Sequence, residues 1–381
     1  GTHPQVLTVG AVQNRHEFFR ALEVPGGPGG SAGGGVYKGA LGGPVIPSAP
    51  LNAPLRDVRK SGNDGLACGA LPGGSMNGSI AFIARGSGEC TFAVKLQNAR
   101  NAGAVGVVFY RTDGSQEVFG PGGLSYAEIP AMLIGDSDGA ALRNFLDGQG
   151  NPPNASISAA YRERATLQDI NGDGVLDSVI TGFSARGPNI GFPIIKPEVV
   201  AVGENIYTAT QSYDRNGDMY DPSGYIAVDG TSFSAPLVAG VAALVLDQTE
   251  GFRNYDSEQV KSAIVNAARD VAVVNGQVHA TVFDRNINTG NLEQAYNVAM
   301  GGGEVQARWA FDSFVTMSPQ TLNFGDVDNA RLAAGIESTI TITNAYERTL
   351  RFTFSRDPYD DVTDQASPVT WTLPGAIDVP S

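Results

Sequence analysis

The stretch GTSFSAPLVAG, residues 230–240, decides how this 381-residue sequence is interpreted. It places Ser232 directly before a long apolar run, with Pro236 a few residues into that run. Proline fits the first turn of a helix, because the N–H groups of that turn have no partner inside the helix. The pattern therefore predicts a helix from about Ser232 to Leu246. Its free N–H groups and positive dipole end would suit a developing oxyanion beside Ser232.

A serine at the start of a helix also has a plain structural interpretation. Serine is a preferred N-cap residue, because its side-chain oxygen accepts a hydrogen bond from a free N–H group of the first turn. The residues that follow, from Phe233 to Val245, are apolar on every side of the predicted helix. A helix without a polar face is normally surrounded by protein. We therefore expect this helix at the centre of a domain.

Strand and helix patterns alternate around this central helix. Short apolar runs at 197–202 and 226–228 predict strands before it, and Asp256–Gln259 is a start signal for a second helix that ends near Ala268. Strands with interleaved helices indicate an α/β fold, in which helices cover both faces of a parallel sheet.

The first residues suggest that the chain is part of something longer. Residues 4–12 have a strand-like pattern that begins almost at Gly1, and a domain rarely begins inside a strand. We therefore expect these residues to be the C-terminal part of a longer protein.

The segment at 230–240 resembles the serine motif of the subtilisin-like serine peptidases, the subtilases. The family pattern is Gly-Thr-Ser-Met-Ala-x-Pro before an Ala/Gly/Val-rich helix. Here Phe233 and Ser234 replace Met and Ala, and Leu237 replaces the usual His. Other segments that resemble the family are QVLTVGA at 5–11, FSARGPN at 183–189, KPEVVAVG at 196–203, and NTGNL at 288–292 with Ala295. The resemblance implies that Ser232 is the family nucleophile.

The resemblance also implies residues that this sequence lacks. A subtilase triad runs Asp, His, Ser along the chain; the histidine accepts the serine proton and the aspartate orients the imidazole. Neither an Asp-Thr/Ser-Gly motif nor a His-Gly-Thr motif occurs in the sequence, and the family's oxyanion asparagine would lie just before Gly1. The histidines present, His3, His16 and His279, stand in other contexts and are expected at the surface.

The expected function is therefore that of a secreted subtilisin-like serine endopeptidase. It would hydrolyse polypeptides through an acyl-enzyme and need no cofactor for catalysis. This chain would supply Ser232 but would have no triad activity alone. The alternative is a non-catalytic, calcium-stabilised surface or adhesion protein that keeps the subtilase scaffold.

Residues 55–150, within an expected insert at 46–160, resemble the protease-associated (PA) domain that is inserted in many secreted subtilases. The matching segments are RG at 85–86, CTF at 90–92, Lys95, NA at 98–99, AGAVGV at 102–107 and IP at 129–130. The resemblance implies a mainly-β module without catalytic residues, a lid or docking surface for substrate or partner proteins. The cysteines, Cys68 and Cys90, are expected to form a disulfide, with two reduced thiols as the alternative.

The expected organisation has four parts. Residues 1–45 and 161–308 are expected to form two segments of an incomplete subtilisin-like three-layer α/β domain. Residues 46–160 would be the PA insert between them. Residues 309–381 would be the truncated start of an Ig- or Fn3-like β-sandwich. The sandwich is expected from the alternating Thr- and Phe-rich runs at 339–343 and 350–354.

Two acidic loops have the ligand spacing of calcium loops. The first contains Asp169, Asn171, Asp173 and Asp177, and the second, a weaker copy, contains Asp214, Asn216, Asp218 and Asp221. Calcium takes several oxygen ligands, and in the first loop Gly174 provides the sharp turn between them. The position-12 glutamate of an EF-hand is missing, so a plain Asx-turn loop is the alternative.

Composition narrows the class of partner. The formal net charge is −14, which disfavours binding to nucleic acid or anionic lipid. Hydrophobic residues make up 42% of the chain, enough for a sizeable core. No apolar run reaches the roughly 18 residues of a membrane-spanning helix. We expect a secreted protein, of bacterial origin.

Overall fold

The structure is a computed structural model of the chain. It describes residues 3–166, 168–187, 194–215, 217–250, 255–275, 277–322, 324, 327–354 and 372–381. The chain divides into two compact units. Unit 1 comprises residues 1–16, 165–206 and 228–381, and unit 2 comprises residues 17–164 and 207–227.

The secondary structure is mixed α/β. The strands are β1 (Val9–Val12), β2 (His16–Glu23), β3 (Val36–Gly42), β4 (Leu51–Asp57), β5 (Ile80–Ala84), β6 (Gly106–Tyr110), β7 (Ala131–Ile134), β8 (Asn154–Ile157), β9 (Arg162–Ala165), β10 (Ser178–Val179), β11 (Val199–Val202), β12 (Ile206–Ala209), β13 (Tyr225–Val228), β14 (Val271–Val274), β15 (Gln277–Ala280), β16 (Val282–Arg285), β17 (Leu292–Gln294), β18 (Val315–Ser318), β19 (Thr341–Asn344), β20 (Leu350–Phe352) and β21 (Ile377–Val379). The helices are α1 (Phe92–Asn101), α2 (Asp136–Asp147), α3 (Thr231–Glu250), α4 (Ser257–Asn266), α5 (Asn297–Met300), α6 (Ala307–Asp312) and α7 (Asn329–Ala334).

Unit 2 is built on an eight-stranded sheet with the order β3-β7-β6-β5-β4-β8-β2-β9. Its centre is parallel, because β4, β5, β6 and β7 pair in parallel in that order. Every residue of β5, β6 and β7 is buried, as expected for parallel strands that are covered on both faces. Leu96 of α1 belongs to the core on one face, and Leu142 of α2 belongs to the core on the other.

The insert expected at 46–160 stays a prediction, and unit 2 is larger than that range. It begins at Glu17, because β2 and β3 pair with β8 and β7 of the same sheet. It also contains α2, which the sequence analysis did not predict. Gly139 interrupts the helical pattern there, and the structure shows why glycine is present: a Cβ atom would lie 2.4 Å from Cβ of Tyr110.

The disulfide between Cys68 and Cys90 is present in unit 2 and closes a loop with a sequence separation of 22. A cross-link of this span restricts the unfolded chain and contributes about 3 kcal/mol in the chain-entropy account. Lys95 of α1 stabilises the same region. Its buried Nζ donates to the carbonyl oxygens of Leu66 at 2.8 Å and Ala84 at 3.2 Å.

In unit 1, β1 pairs in parallel with β11, from Val9 opposite Val199 to Val12 opposite Val202. A second parallel pair joins β10 and β16, and β17 extends it in antiparallel fashion. The helices α3 and α4 pack together with β11 around a common core. Helix α4 begins as the sequence predicted, with a capping box between Asp256 and Gln259.

Helix α3 is only half covered by the residues that the structure describes. Val238, Val241 and Val245 are buried on the side of β11 and α4. Leucines elsewhere on the helix are about half exposed: Leu237 at 49%, Leu244 at 50% and Leu246 at 47%. The expectation that protein surrounds this helix is therefore wrong as far as the described residues are concerned.

The C-terminal residues form short antiparallel pairs. β18 pairs with β19, and β20 pairs with β21. The predicted strands at 339–343 and 350–354 thus have counterparts in β19 and β20, while the expected sandwich remains a prediction. Among the described residues, no helix has the length and hydropathy needed to span a membrane.

A buried ion network ties the first residues of the chain to unit 1. Glu198 accepts hydrogen bonds from the N–H of Thr8 at 2.7 Å and from Nζ of Lys196, and Nζ of Lys261 lies 2.8 Å from the same carboxylate. The two lysines also donate to the carbonyl oxygens of Val6 and Pro4. Burial lowers the pKa of Lys196, although Glu198 acts in the opposite direction.

We predict that Glu198→Gln lowers the free energy of unfolding by about 3–5 kcal/mol, because it leaves two buried ammonium groups without a counter-charge. Urea denaturation would measure the loss. The matched control is Asp312→Asn, which removes an exposed pair with Arg308 and should change stability by less than about 0.5 kcal/mol. Equal effects of the two substitutions would contradict a central role for the buried network.

Candidate active site

Ser232 is the second residue of α3, and it is exposed. Gly230, just before the helix, has a φ of +153°, a conformation that residues with a side chain rarely adopt. The N–H of Gly230 donates to the carbonyl of Gly203 at 2.7 Å, and the N–H of Phe233 donates to the carbonyl of Gly230 at 3.0 Å. The start of the helix is thus held in place, and Ser232 lies beside its first N–H groups.

The segments that resembled the subtilase motifs meet beneath this helix start. The N–H of Gly203, which follows β11, donates to the carbonyl of Val12 at the end of β1 at 3.0 Å. The N–H of Ala11 donates to Oγ of Ser184 at 3.0 Å. Ser232 therefore stands near the carboxyl ends of two parallel strands, the edge of an α/β sheet where sites commonly form.

Two glycines allow this close approach. A Cβ atom on Gly203 would lie 2.1 Å from Oγ of Ser234 and 2.8 Å from Cβ of Ala11, and one on Gly10 would lie 2.8 Å from Oγ of Ser184. In the sequence, these glycines stand out only as parts of the motifs at 5–11 and 196–203. Their role depends on distances between segments far apart in the chain, which a single sequence does not display.

We predict that Gly203→Ala lowers the free energy of unfolding by about 1–3 kcal/mol, because the methyl group would overlap Ser234. The control is Gly240→Ala, in the middle of α3, where nothing lies within 4 Å of the added Cβ atom. That substitution should raise stability by about 0.5–1 kcal/mol through helix propensity. Chemical denaturation of both variants would measure these free energies of unfolding. An unchanged value for Gly203→Ala would contradict the close packing at this position.

Two of the three histidines have imidazole contacts with partners other than Ser232. Nδ1 of His279 is 2.9 Å from Oδ2 of Asp173, and Nδ1 of His3 accepts a hydrogen bond from the N–H of Gln5. His16 is exposed at the start of β2. In the part of the chain that the structure describes, no hydrogen bond joins Ser232 to a histidine. The arrangement shown is thus a serine beside helix N–H groups.

The first acidic loop is held by its own backbone. Asp169 accepts from the N–H groups of Asp173 and Gly174, both at 3.0 Å, and Oδ2 of Asp177 accepts from the N–H of Ile170 at 2.7 Å. Burial raises the pKa of Asp177, and the carboxylates of Asp173 and Asp169 raise it further. The side chain of Asn171 donates to the carbonyl of Ala280 at 3.4 Å.

In the second acidic loop Asp221 has protein partners, and the weaker calcium site expected there stays a prediction. Both oxygens of Asp221 have protein donors: Oδ2 pairs with the buried guanidinium of Arg20, and Oδ1 accepts from the N–H and Oγ of Ser223. Asp221 is therefore part of a buried ion pair within unit 2, in which the guanidinium of Arg20 balances its charge. The carbonyls of Asp214 and Asp218 accept from Gln211, and Asn216 lies outside the described residues.

The chain matches a known protein family over most of its length. Residues 1–294 match the Subtilase family. The minor extracellular protease Vpr of Bacillus subtilis (strain 168) is 29% identical over 208 residues, which cover 54% of this chain and 23% of Vpr. Subtilisin-like protease SBT1.2 of Arabidopsis thaliana is 27% identical over 242 residues, which cover 60% of this chain and 28% of that protein.

Among solved structures, the psychrophilic subtilisin-like protease Apa1 from the Antarctic psychrotroph Pseudoalteromonas sp. AS-11 is 14% identical. Its match covers 78% of this chain and 49% of that chain, with a TM-score of 0.28. The chain spans about a quarter of the length of the two curated relatives.

Proposed function

This chain belongs to the subtilase family of serine peptidases, and from that premise we propose that Ser232 is the nucleophile of an endopeptidase acting on polypeptides. One observation carries the proposal: an exposed serine lies at the first turn of an apolar helix, whose start is fixed against two parallel strand ends. The sequence segments that build this support are the ones that resemble the family motifs.

In the proposed reaction, Oγ of Ser232 attacks the carbonyl carbon of the scissile peptide bond. The resulting oxyanion accepts hydrogen bonds from N–H groups at the start of α3, where the helix dipole also favours negative charge. Collapse of the tetrahedral intermediate expels the amine and leaves an acyl-enzyme, which water then hydrolyses. A histidine must take the serine proton and return it to the leaving amine, and an aspartate must orient that histidine.

We propose that this histidine and aspartate belong to a part of the protein outside these 381 residues. The contacts of His279 with Asp173 and of His3 with the backbone N–H of Gln5 support this, because each of these imidazoles has a partner other than Ser232. The half-exposed leucines of α3 support it too. An apolar helix surface of this kind is usually covered by protein, and a segment that carries the base would cover it.

Unit 2 would serve as an accessory to this site. Its motifs resemble those of PA domains, which implies a lid or docking surface for substrates or partner proteins. Its disulfide supports secretion, because disulfides persist in oxidising compartments. The word extracellular in the name of the Bacillus relative points the same way.

A non-catalytic scaffold is the second candidate. The observation that favours it is the absence of a histidine bonded to Ser232 in the described part of the chain. The two candidates differ in one property, the nucleophilicity of Ser232 in the whole protein.

We predict that a fluorophosphonate probe labels the full-length protein at Ser232 and leaves the 381-residue chain unlabelled, because the base is supplied from elsewhere. Ser232→Ala should abolish labelling and lower peptide hydrolysis by several orders of magnitude. The matched control is Ser257→Ala, which removes another exposed serine in the first turn of a helix, here α4, and should leave labelling and hydrolysis unchanged. Labelling of full-length protein that persists in Ser232→Ala would reject Ser232 as the nucleophile.

A further inference from the structure

The loop at 169–177 holds a buried carboxylate oxygen that the protein leaves without a partner. Asp177 is only 3% exposed. Its Oδ2 accepts from the N–H of Ile170, but its Oδ1 is buried and has no hydrogen-bond partner among the described residues. A buried carboxylate oxygen in this state destabilises the fold unless a cation or a donor compensates it. The site therefore points to a missing positive group.

A second carboxylate of the loop is in a similar position. The side chain of Asp173 is 6% exposed, and Oδ1 of Asp173 accepts from the N–H of Val175 at 2.7 Å. Its Oδ2 is also buried and lies 2.9 Å from Nδ1 of His279. No Lys or Arg ion pair reaches Asp169, Asp173 or Asp177 within the described ranges. Three acidic side chains thus share one loop with a single imidazole beside them.

The ligand that fits is a hard divalent cation. Carboxylate and amide oxygens at positions 1, 3, 5 and 9 of a short loop are the donor set that Ca²⁺ accepts, in flexible geometry. Gly172 and Gly174 have φ values of +69° and +81°, so the loop can curl between these donors. Mg²⁺ demands a stricter octahedron and retains its water more strongly, so this loop favours Ca²⁺.

The four candidate ligands do not form a coordination site in the structure as described. In the described part of the chain, no three His, Cys, Asp or Glu side chains are grouped as a metal site. Like charges repel, and the carboxylate of Asp169 is turned to its own backbone. We propose that Ca²⁺ binds this loop by drawing Asp169, Asn171, Asp173 and Asp177 together and neutralising the orphaned oxygen of Asp177.

The consequence for the fold lies in unit 1. Asp177 directly precedes β10, and Ser178 pairs with Val282 of β16. The backbone N–H of Asp177 donates to the carbonyl of Gln168, so the two ends of the loop already meet. A bound cation would fix the entry of the chain into this strand pair and stabilise unit 1.

The test is calorimetric titration of the chelator-treated 381-residue chain with CaCl₂, together with thermal unfolding. We expect one Ca²⁺ per chain, and a Tm that rises by about 5 °C at a hundredfold excess over Kd. Asp177→Asn should remove both signals. Because Asp177 is buried, its substitution could also disturb the fold, so Asp169→Asn is a second variant. Asp169 is exposed, and the circular dichroism spectrum of Asp169→Asn should match that of the wild-type chain. This variant should bind Ca²⁺ at least tenfold more weakly.

The matched control is Asp218→Asn in the other acidic loop, which should leave both signals unchanged. The proposal is overturned if the wild-type chain binds no Ca²⁺. It is equally overturned if binding persists at full strength in Asp169→Asn, or if Asp218→Asn abolishes it. The proposal does not depend on the role of Ser232, so failure of either leaves the other standing.

Discussion

The architecture of unit 1 depends on the contact between the start of α3 and the carboxyl ends of β1 and β11. Gly203 leaves too little space for an added carbon, because a Cβ atom there would lie 2.1 Å from Oγ of Ser234 and 2.8 Å from Cβ of Ala11. The hydrogen bond from Gly230 to Gly203 locks the helix start at the same point. This contact directs the first turn of α3 to the strand edge, and so it sets where Ser232 is exposed.

The elements around this contact were predictable from the sequence, because each has a local signal. The capping box at Asp256 and the long apolar run of α3 are examples. The family motifs also placed Ser232 correctly at the helix start. Helix α2 was not predicted, because Gly139 weakens its helical pattern. The need for glycine at this position comes from the close approach of Tyr110 in β6. Packing across distant segments carries information that local periodicity lacks.

Electrostatic partners were the least predictable feature. The spacing of Asp214 and Asp221 resembled that of Asp169 and Asp177, yet only the structure shows that Asp221 pairs with Arg20 whereas Asp177 keeps a buried oxygen without a partner. Arg20 and Asp221 are far apart in the sequence, so no motif joins them. The half-exposed α3 was likewise unexpected, because composition alone describes the helix and not its neighbours.

The central claim is that Ser232 works with a histidine and an aspartate from outside these 381 residues. The most direct measurement is the DNA sequence upstream of the codon for Gly1. The account predicts, in frame, an Asp-Thr/Ser-Gly motif, then a His-Gly-Thr motif, then a segment that carries the oxyanion asparagine. A reading frame that opens at Gly1, or one whose upstream residues lack that aspartate and histidine, would contradict the account and favour a non-catalytic scaffold.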